Sequence, residues 1–261
     1  MMIEEIVQAV RSCAAILLEA ERIDAGVMAK EGHANYVTVY DKQVQEALRE
    51  RLLAIVPEAV FVGEEEEVHR SVDKGYAFIV DPIDGTSNFI KQYRCSCISV
   101  GITRDGERVG GVVYNPYVDE LYMAEKGKGA YRNGEPIHVS ADALADSLVA
   151  FGTAPYYEEL CDRSFALARE YCMKAVDVRR SGTAAMDLCQ VACGRNGMFF
   201  ELRLQPWDFA AGSLIVEEAG GIVVNEDGGV PPLSGPTSVF AMNAVIYEEW
   251  RKEKCSNIST L

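Results

Sequence analysis

Asp81 and Asp84 stand three residues apart at the end of an apolar run, in the segment AFIVDPIDGT (residues 77–86). The apolar run predicts a strand, so both carboxylates would leave the sheet at the same edge. The proline between them stiffens the bend, and Gly85 lets the backbone come close to a ligand. The N–H groups of Gly85 and Thr86 could open a helix whose positive end binds a phosphate oxygen. A simple β-turn would explain the Asp-Gly pair alone, but it does not account for the whole string.

Two more acidic residues, Glu64 and Asp208, also lie at the ends of predicted secondary-structure elements. Glu64 follows the apolar run 59–62 and begins four consecutive glutamates. Such a charge run is equally typical of a solvated surface, but the position at a strand end favours Glu64 as a functional residue. Asp208 is expected to begin a helix that ends near Glu218, and an aspartate at a helix N-cap needs no other function.

Composition limits the chemistry that these carboxylates could serve. The 40 Asp and Glu against 25 Lys and Arg give a formal net charge of -15, which disfavours nucleic acid or an anionic membrane as the main partner. The three histidines have no metal-ligand spacing, so any metal chemistry would use oxygen ligands. The pairs Cys95/Cys97 and Cys189/Cys193 are interpreted as small buried hydrophobes, and the eight cysteines as reduced thiols.

The N-terminal segment and the lengths of the apolar runs together predict the cellular compartment of the protein. Its first twenty residues mix glutamates with apolar residues at helical spacing, which indicates an amphipathic helix and not a signal peptide. No later run approaches the roughly 18–20 apolar residues that a membrane span needs. We therefore expect a cytoplasmic protein.

The order of predicted elements indicates an α+β or α/β layered architecture. The first half predicts helices over about 3–24 and from an Asp41 N-cap to Ile55, a loop over 29–36, strands over 59–62 and 76–80, and an antiparallel meander over 96–139. The second half alternates strands and helices, which is typical of a mixed sheet. Strands are expected at 148–151, 175–178, 197–202, 221–224 and 238–241, and helices at 157–171, 183–193, 208–219 and 244–252. No linker separates the halves, so residues 1–261 are expected to form a single catalytic unit with halves of about 1–140 and 141–261.

Five segments in this order give the chain a specific resemblance. They are Val37-Thr-Val-Tyr-Asp41, Gly63-Glu64-Glu65, Asp81-Pro-Ile-Asp-Gly-Thr86, Arg180-Ser-Gly-Thr-Ala-Ala185, and Trp207-Asp208 with Glu-Ala-Gly-Gly downstream. Over nearly its whole length the chain resembles the inositol monophosphatase family of metal-dependent phosphatases. The resemblance implies an αβαβα layered sandwich and a homodimer.

The resemblance also implies a set of metal ligands. One Mg²⁺ would be bound by Glu64, Asp81 and the backbone carbonyl of Ile83, and a second by Asp81, Asp84 and Asp208. A third, weakly held Mg²⁺ is an alternative. All of these ligands are hard oxygens, which suit Mg²⁺ better than zinc or copper.

Further residues receive roles by the same resemblance. Thr86, paired with Asp41 and assisted by Glu64, would orient or deprotonate the attacking water. Lys30 lies in a loop that would close near the metals, and a plain surface lysine is an equal interpretation. Glu201 would accept hydrogen bonds from the substrate's ring hydroxyls, where an exposed charge is the alternative. The implied substrate-binding residues are Asp84, Gly85, Thr86, Gly182, Thr183, Ala184, Glu201 and Asp208.

These expectations lead to one main functional hypothesis. It is a Mg²⁺-dependent phosphomonoesterase acting on inositol 1-phosphate or a related small polyol or sugar phosphate, and Ser87-Asn88-Phe89 together with Glu201 favours the inositol type. Fructose 1,6-bisphosphate, histidinol phosphate and adenosine 3′,5′-bisphosphate are alternative substrates on the same scaffold. A non-catalytic regulatory or scaffold protein is the competing class, and it would predict loss of a metal ligand. Every ligand position is filled.

Overall fold

A computed structural model describes residues 2–20, 27–29, 36–66 and 70–258 of the chain. Lys30 and most of the predicted loop over 29–36 lie outside the described residues. The strands β1 (Val27–Ala29) and β2 (Tyr36–Thr38) pair antiparallel on either side of that gap.

Seven strands of the first half form one sheet, in the order β3 to β9. They are β3 (Val60–Gly63), β4 (Tyr76–Asp84), β5 (Cys97–Arg104), β6 (Glu107–Asn115), β7 (Glu120–Glu125), β8 (Ala130–Arg132) and β9 (Glu135–Ile137). The predicted antiparallel meander is present from β5 onward, but β3 and β4 pair parallel. The sheet is therefore mixed, and the parallel pair brings the carboxyl ends of β3 and β4 to the same edge.

Two long helices cover one face of this sheet. They are α1 (Met2–Leu18), which ends short of the predicted end near residue 24, and α2 (Val39–Ile55). Their buried side chains, such as Val10 and Leu48, pack with Phe78 and Val100 of the sheet. The expected N-cap at Asp41 is wrong: the cap is Thr38, and Asp41 is the third helical residue, whose carboxylate reaches back to Thr38.

The second half forms a five-stranded mixed sheet in the order β11-β10-β12-β14-β13. Its strands are β10 (Leu148–Phe151), β11 (Asp177–Arg179), β12 (Met198–Leu204), β13 (Ile222–Val224) and β14 (Thr237–Met242). The remaining helices are α3 (Thr86–Ile90), α4 (Glu158–Lys174), α5 (Ala184–Ala192), α6 (Pro206–Glu218) and α7 (Ala244–Ile258), with a short 3₁₀ helix at Leu144–Asp146. The predicted alternation of strands and helices is confirmed.

The elements stack into five layers. Helices α5 and α6 lie between the two sheets, where Leu188 and Phe209 belong to one core with Val113 of the first sheet and Phe199 of the second. Helices α4 and α7 cover the outer face of the second sheet, where Tyr171 and Trp250 pack with Phe200. With α1 and α2 outside the first sheet, the order is αβαβα, as the resemblance implies.

Helix α6 approaches the first sheet over a pair of glycines. Gly101 of β5 and Gly111 of β6 are directly opposite each other in the antiparallel register. A Cβ at Gly101 would come within 2.8 Å of the Ala210 Cβ, and one at Gly111 within 2.6 Å of the Ala211 carbonyl oxygen. The helix backbone therefore lies directly on the sheet, and its first turn is held close to the end of β4.

The longest described helices are α1, α2 and α4, with 17 residues each. In the described part of the chain, no helix is both long enough and apolar enough to cross a bilayer.

Candidate active site

A cleft of about 730 Å³ opens where the edges of the two sheets meet α5 and α6. Its walls contain every residue predicted to bind metal or substrate, and Asp41 is the only described residue of the predicted catalytic group that is not among the lining residues. The predicted residues that line it are Glu64, Asp81, Ile83, Asp84, Gly85, Thr86, Gly182, Thr183, Ala184, Glu201 and Asp208. Residues from both halves of the chain therefore share one site.

Asp81 sits near the end of β4 and is 2% exposed. Its Oδ1 accepts a hydrogen bond from the Ile83 N–H at 3.0 Å, which fixes the turn between the two aspartates. Its neighbour on β5 is Ser99, whose hydroxyl donates to the Trp207 carbonyl at 3.4 Å. Asp208 follows Trp207, so this contact ties the elements that carry Asp81 and Asp208.

Asp84 is anchored to the beginning of α5. Its Oδ2 accepts hydrogen bonds from the Thr183 hydroxyl at 2.5 Å and from the Ala185 N–H at 2.8 Å. Thr183 is the N-cap of that helix, so the carboxylate lies against the positive end of the helix dipole. This arrangement fixes the carboxylate and favours its ionised form.

Gly85 allows the turn after Asp84. Its φ of 84° lies in the left-handed region, and a Cβ there would come within 3.0 Å of the Cys95 carbonyl oxygen. The side-chain amide of Asn88 donates to the carbonyls of Cys95 at 2.8 Å and Ser181 at 2.9 Å, and Phe89 is buried. Asn88 and Phe89, which favoured an inositol substrate in the sequence, thus hold neighbouring loops together.

Glu64 and Asp208 line the cleft from different elements. The Glu64 N–H donates to the Val80 carbonyl at 3.1 Å, which holds the end of β3 beside β4. Asp208 is not the helix N-cap that the sequence predicts, because α6 begins at Pro206 after the cap Gln205. Its Oδ2 accepts from the Gln205 N–H at 2.7 Å, so one carboxylate oxygen closes the cap and the other can serve a ligand.

The acidic residues perturb one another strongly. Burial raises the pKa of Asp81 well above its ordinary value, and the charges of Glu64, Asp84 and Asp208 raise it further. Burial also raises the pKa of Asp84 to about 6, against the lowering effect of its hydrogen bonds from Thr183 and Ala185. Burial, followed by the charges of Asp84 and Glu64, raises the pKa of Asp208.

This donor set fits a hard divalent cation. Among the described residues, Asp81, Asp84 and Asp208 take part in no ion pair with Lys or Arg. Carboxylates and a backbone carbonyl are the ligands that Mg²⁺ prefers. Within the described ranges no three His, Cys, Asp or Glu side chains form a finished ligand cluster. The carboxylates would therefore have to close around the ion, with waters completing its coordination.

Thr86 and Asp41, the predicted catalytic pair, each have another partner. The Thr86 hydroxyl donates to the Ile83 carbonyl at 3.2 Å. Asp41 accepts from the Thr38 N–H at 2.7 Å and the Thr38 hydroxyl at 2.6 Å, while its Oδ1 is buried with no hydrogen-bond partner in the described part of the chain. Burial, opposed by the Thr38 hydrogen bonds, raises the pKa of Asp41 to about 6. The role of the pair remains a prediction.

Glu201 lines the cleft, and a backbone amide holds its carboxyl group. Its Oε1 accepts from the Ala154 N–H at 3.1 Å. Burial raises its pKa to about 7, although that hydrogen bond lowers it. This environment differs from that of an exposed charge at a strand end, and it leaves a carboxyl group facing the space where a substrate would lie.

Sequence reasoning missed three charged residues of the cleft wall. Asp187 is buried on the first turn of α5 and accepts from the Ser181 hydroxyl at 2.7 Å. Arg180 belongs to a segment that carries the family resemblance, but it received no role there. Arg203 stands two residues after Glu201 on β12, and the alternation of side chains along a strand would have placed both on the same face.

Comparisons with known proteins agree on the family. The model of the inositol monophosphatase family matches residues 1–259. The inositol-1-monophosphatase of Rhizobium meliloti (strain 1021) is 36% identical over 239 residues, covering 91% of this chain and 89% of that protein. A Nus factor SuhB of Salmonella typhimurium (strain 14028s) is 35% identical, covering 80% and 79%. The crystal structure of SaIMPase-II with inositol monophosphate bound superposes with a TM-score of 0.80 at 29% identity, covering 95% and 92% of the two chains.

Proposed function

The chain belongs to the inositol monophosphatase family, and from this premise we propose that it is a Mg²⁺-dependent phosphomonoesterase. Its substrate would be inositol 1-phosphate or a related small polyol or sugar phosphate. The observation that carries the proposal is the convergence of Glu64, Asp81, Asp84 and Asp208 on one cleft. Within the described ranges, Asp81, Asp84 and Asp208 have no Lys or Arg partner.

The acidic residues of the cleft would bind the metal ions. Glu64, Asp81, Asp84, Asp208 and the Ile83 carbonyl would hold two Mg²⁺, or three in the alternative arrangement. The chemistry that bound Mg²⁺ supplies is charge neutralisation of the phosphate, easier ionisation of water and stabilisation of the leaving alkoxide.

Other residues of the chain would orient the attacking water and bind the substrate. The Thr86 hydroxyl, at the beginning of α3, would orient the attacking water and pass on its proton, with Asp41 as its partner. The N–H groups of Gly85 and Thr86 would bind a phosphate oxygen. Gly182, Thr183 and Ala184 would line the alcohol part of the substrate, and Glu201 would accept hydrogen bonds from its hydroxyls.

A direct assay tests this proposal. Phosphate release should be measured with inositol 1-phosphate, fructose 1,6-bisphosphate, histidinol phosphate and adenosine 3′,5′-bisphosphate, each with Mg²⁺ and with a chelator in excess. We expect release from at least one substrate that depends on Mg²⁺. Release from none of them in the presence of Mg²⁺ would refute the proposal.

Two further proposals concern the whole protein. The homodimer implied by the family resemblance can be checked by light scattering of the purified chain. A regulatory role is the second candidate function, favoured by the similarity to a Nus factor. It would gain support if the substrate panel gave no turnover while Mg²⁺ still bound.

A further inference from the structure

We propose that Arg203 and Arg180 form a second anion-binding subsite in the cleft, which takes the second phosphate of a sugar or polyol bisphosphate. The inference rests on the proposed phosphatase function and specifies the substrate class. Of the substrates considered above, such a subsite would favour fructose 1,6-bisphosphate and adenosine 3′,5′-bisphosphate, which carry a second phosphate away from the reacting one.

Arg203 is oriented by its strand and by an aromatic ring. Like Glu201, it lines the cleft from β12, whereas Leu202 between them packs in the outer core. Its guanidinium carbon lies 4.6 Å from the centre of the Tyr157 ring. Its Nε is buried and has no hydrogen-bond partner in the described part of the chain. The side chain is thus held in place while a strong donor remains unused.

In the part of the chain that the structure describes, six arginines form no ion pair, and only two of these six, Arg180 and Arg203, line the cleft; the other four are Arg51, Arg70, Arg94 and Arg169. Arg11, Arg49, Arg108, Arg163 and Arg195 each make an ion pair with an acidic side chain. Among the described residues, neither Arg180 nor Arg203 makes one, although acidic side chains far outnumber basic ones. In a chain with a net charge of -15, two arginines without ion pairs in the wall of one cleft indicate an external anion.

Arg180 lines the same cleft. Its guanidinium donates to the Thr153 hydroxyl at 3.3 Å. Its charge lowers the pKa of Asp187 and of Glu201, in both cases as a smaller effect than the burial that raises it. Arg180 therefore sets a positive charge beside the carboxyl group that would receive the substrate's hydroxyls.

A second phosphate is the ligand that this arrangement fits. A guanidinium offers N–H groups in a planar fork that matches phosphate oxygens, and it stays charged at all relevant pH values. A neutral polyol would need Glu201 but neither arginine. A second phosphate near Asp84, Asp187 and Glu201 would be repelled unless a cation countered them. The volume of about 730 Å³ lies within the usual range of small-molecule sites and leaves room for such a substrate.

A matched pair of substrates tests the subsite. Fructose 1-phosphate and fructose 1,6-bisphosphate share the phosphate at C1 and differ only in the second phosphate. We expect a higher kcat/KM for release of the C1 phosphate from the bisphosphate. In Arg203→Gln the ratio of the two kcat/KM values should fall by about 10- to 150-fold, the range for a hydrogen bond to a charged group. Arg203→Lys, which keeps the charge but not the fork, should give a smaller fall.

Arg179→Gln is the matched control, because Arg179 is exposed, pairs with Asp177 and does not line the cleft. Circular dichroism and thermal unfolding check that each variant folds. An unchanged ratio in Arg203→Gln, or the same ratio change in Arg179→Gln, would overturn the subsite.

Calorimetric binding of fructose 1,6-bisphosphate separates this inference from the phosphatase proposal. If the wild type hydrolyses none of the four panel substrates, the phosphatase proposal fails, and the binding comparison still decides the subsite. We expect Kd to rise about 10- to 150-fold in Arg203→Gln. Equal Kd values in the wild type and the variant would overturn the inference.

Discussion

The hydroxyl of Thr183 donates a hydrogen bond to the carboxylate of Asp84 at 2.5 Å, although the two residues are 99 positions apart in the sequence. Asp84 ends a strand of the seven-stranded sheet, and Thr183 caps a helix that lies between the two sheets. The orientation of a predicted metal ligand from the first half is therefore set by the second half.

Replacing Thr183 by Val should remove this orientation. The variant keeps the shape but loses the donor, so we expect kcat/KM to fall by about 10- to 150-fold and the Mg²⁺ concentration for half-maximal activity to rise. Thr183→Ser keeps the donor and serves as the control. Equal activity of the Val and Ser variants at all Mg²⁺ concentrations would contradict this role.

Asp81→Asn should abolish nearly all turnover and leave the fold intact. The residue would contribute oxygen to both proposed metal ions, and an amide lacks the bridging charge. Without divalent cations the variant should unfold at a higher temperature than the wild type, because a buried charge among other carboxylates has been removed. Steady-state kinetics and thermal unfolding measure the two effects, and normal turnover in a folded variant would refute the two-metal assignment.

Thr86→Ala tests the proton-handling role of the hydroxyl. If the hydroxyl takes part in proton transfer, kcat should fall by about 10² to 10⁴, the usual range for such a group. Thr86→Ser retains the hydroxyl and should recover most of the rate. A change confined to KM would make Thr86 a binding residue instead.

Glu201→Ala should separate substrate recognition from the chemical step. Loss of hydrogen bonds to a charged acceptor should lower kcat/KM for inositol 1-phosphate by about 10- to 150-fold. The smaller 2-glycerophosphate should lose much less. An equal fall for both substrates would mean that Glu201 supports the metal site or the fold.

The raised pKa of Glu201 also predicts a dependence of stability on pH. This carboxyl has a pKa of about 7 in the folded protein against 4.5 ordinarily, so between these values the folded protein binds a proton that the unfolded chain has released. Its contribution to stability is full below pH 4.5 and is lost as the pH rises through 7. Glu201→Gln removes this term, so its melting temperature should fall less than that of the wild type between pH 5 and pH 8. Parallel melting curves for the two proteins would contradict the prediction.

The layered fold that the resemblance implies is confirmed. Strands that end in acidic residues leave a strong local pattern, and the acidic residues chosen from it line one cleft. The two errors at helix N-termini have one cause. Asp41 and Asp208 occupy the third helical position and reach back to the cap, and in sequence an aspartate there resembles the cap itself. The threonine three residues before Asp41 was the available signal.

Contacts between distant segments are the part that local patterns do not contain. The parallel pairing of β3 with β4 depends on the path of the chain between them. The position of Arg203 depends on Tyr157, which comes from a different element. Whether a charged side chain finds a partner is decided only when the sheets and helices have packed.

The glycine pair at 101 and 111 has a consequence for which cation the protein can select. The first turn of α6 carries Asp208, and its height above β4 and Asp81 is set by the bare backbone of two neighbouring strands. Mg²⁺ requires oxygen ligands at about 2.0–2.1 Å, whereas Ca²⁺ accepts about 2.3–2.6 Å, so a displacement of a few tenths of an ångström separates the two ions. A methyl group at Gly111 would lift the helix by at least that much, and the preference in binding titrations should shift from Mg²⁺ toward Ca²⁺. If the preference stayed the same, the helix height would not control it. If the preference does shift toward Ca²⁺, ionic selectivity is a property of how closely a helix rests on a sheet, and it is set at positions that touch neither the metal nor the substrate.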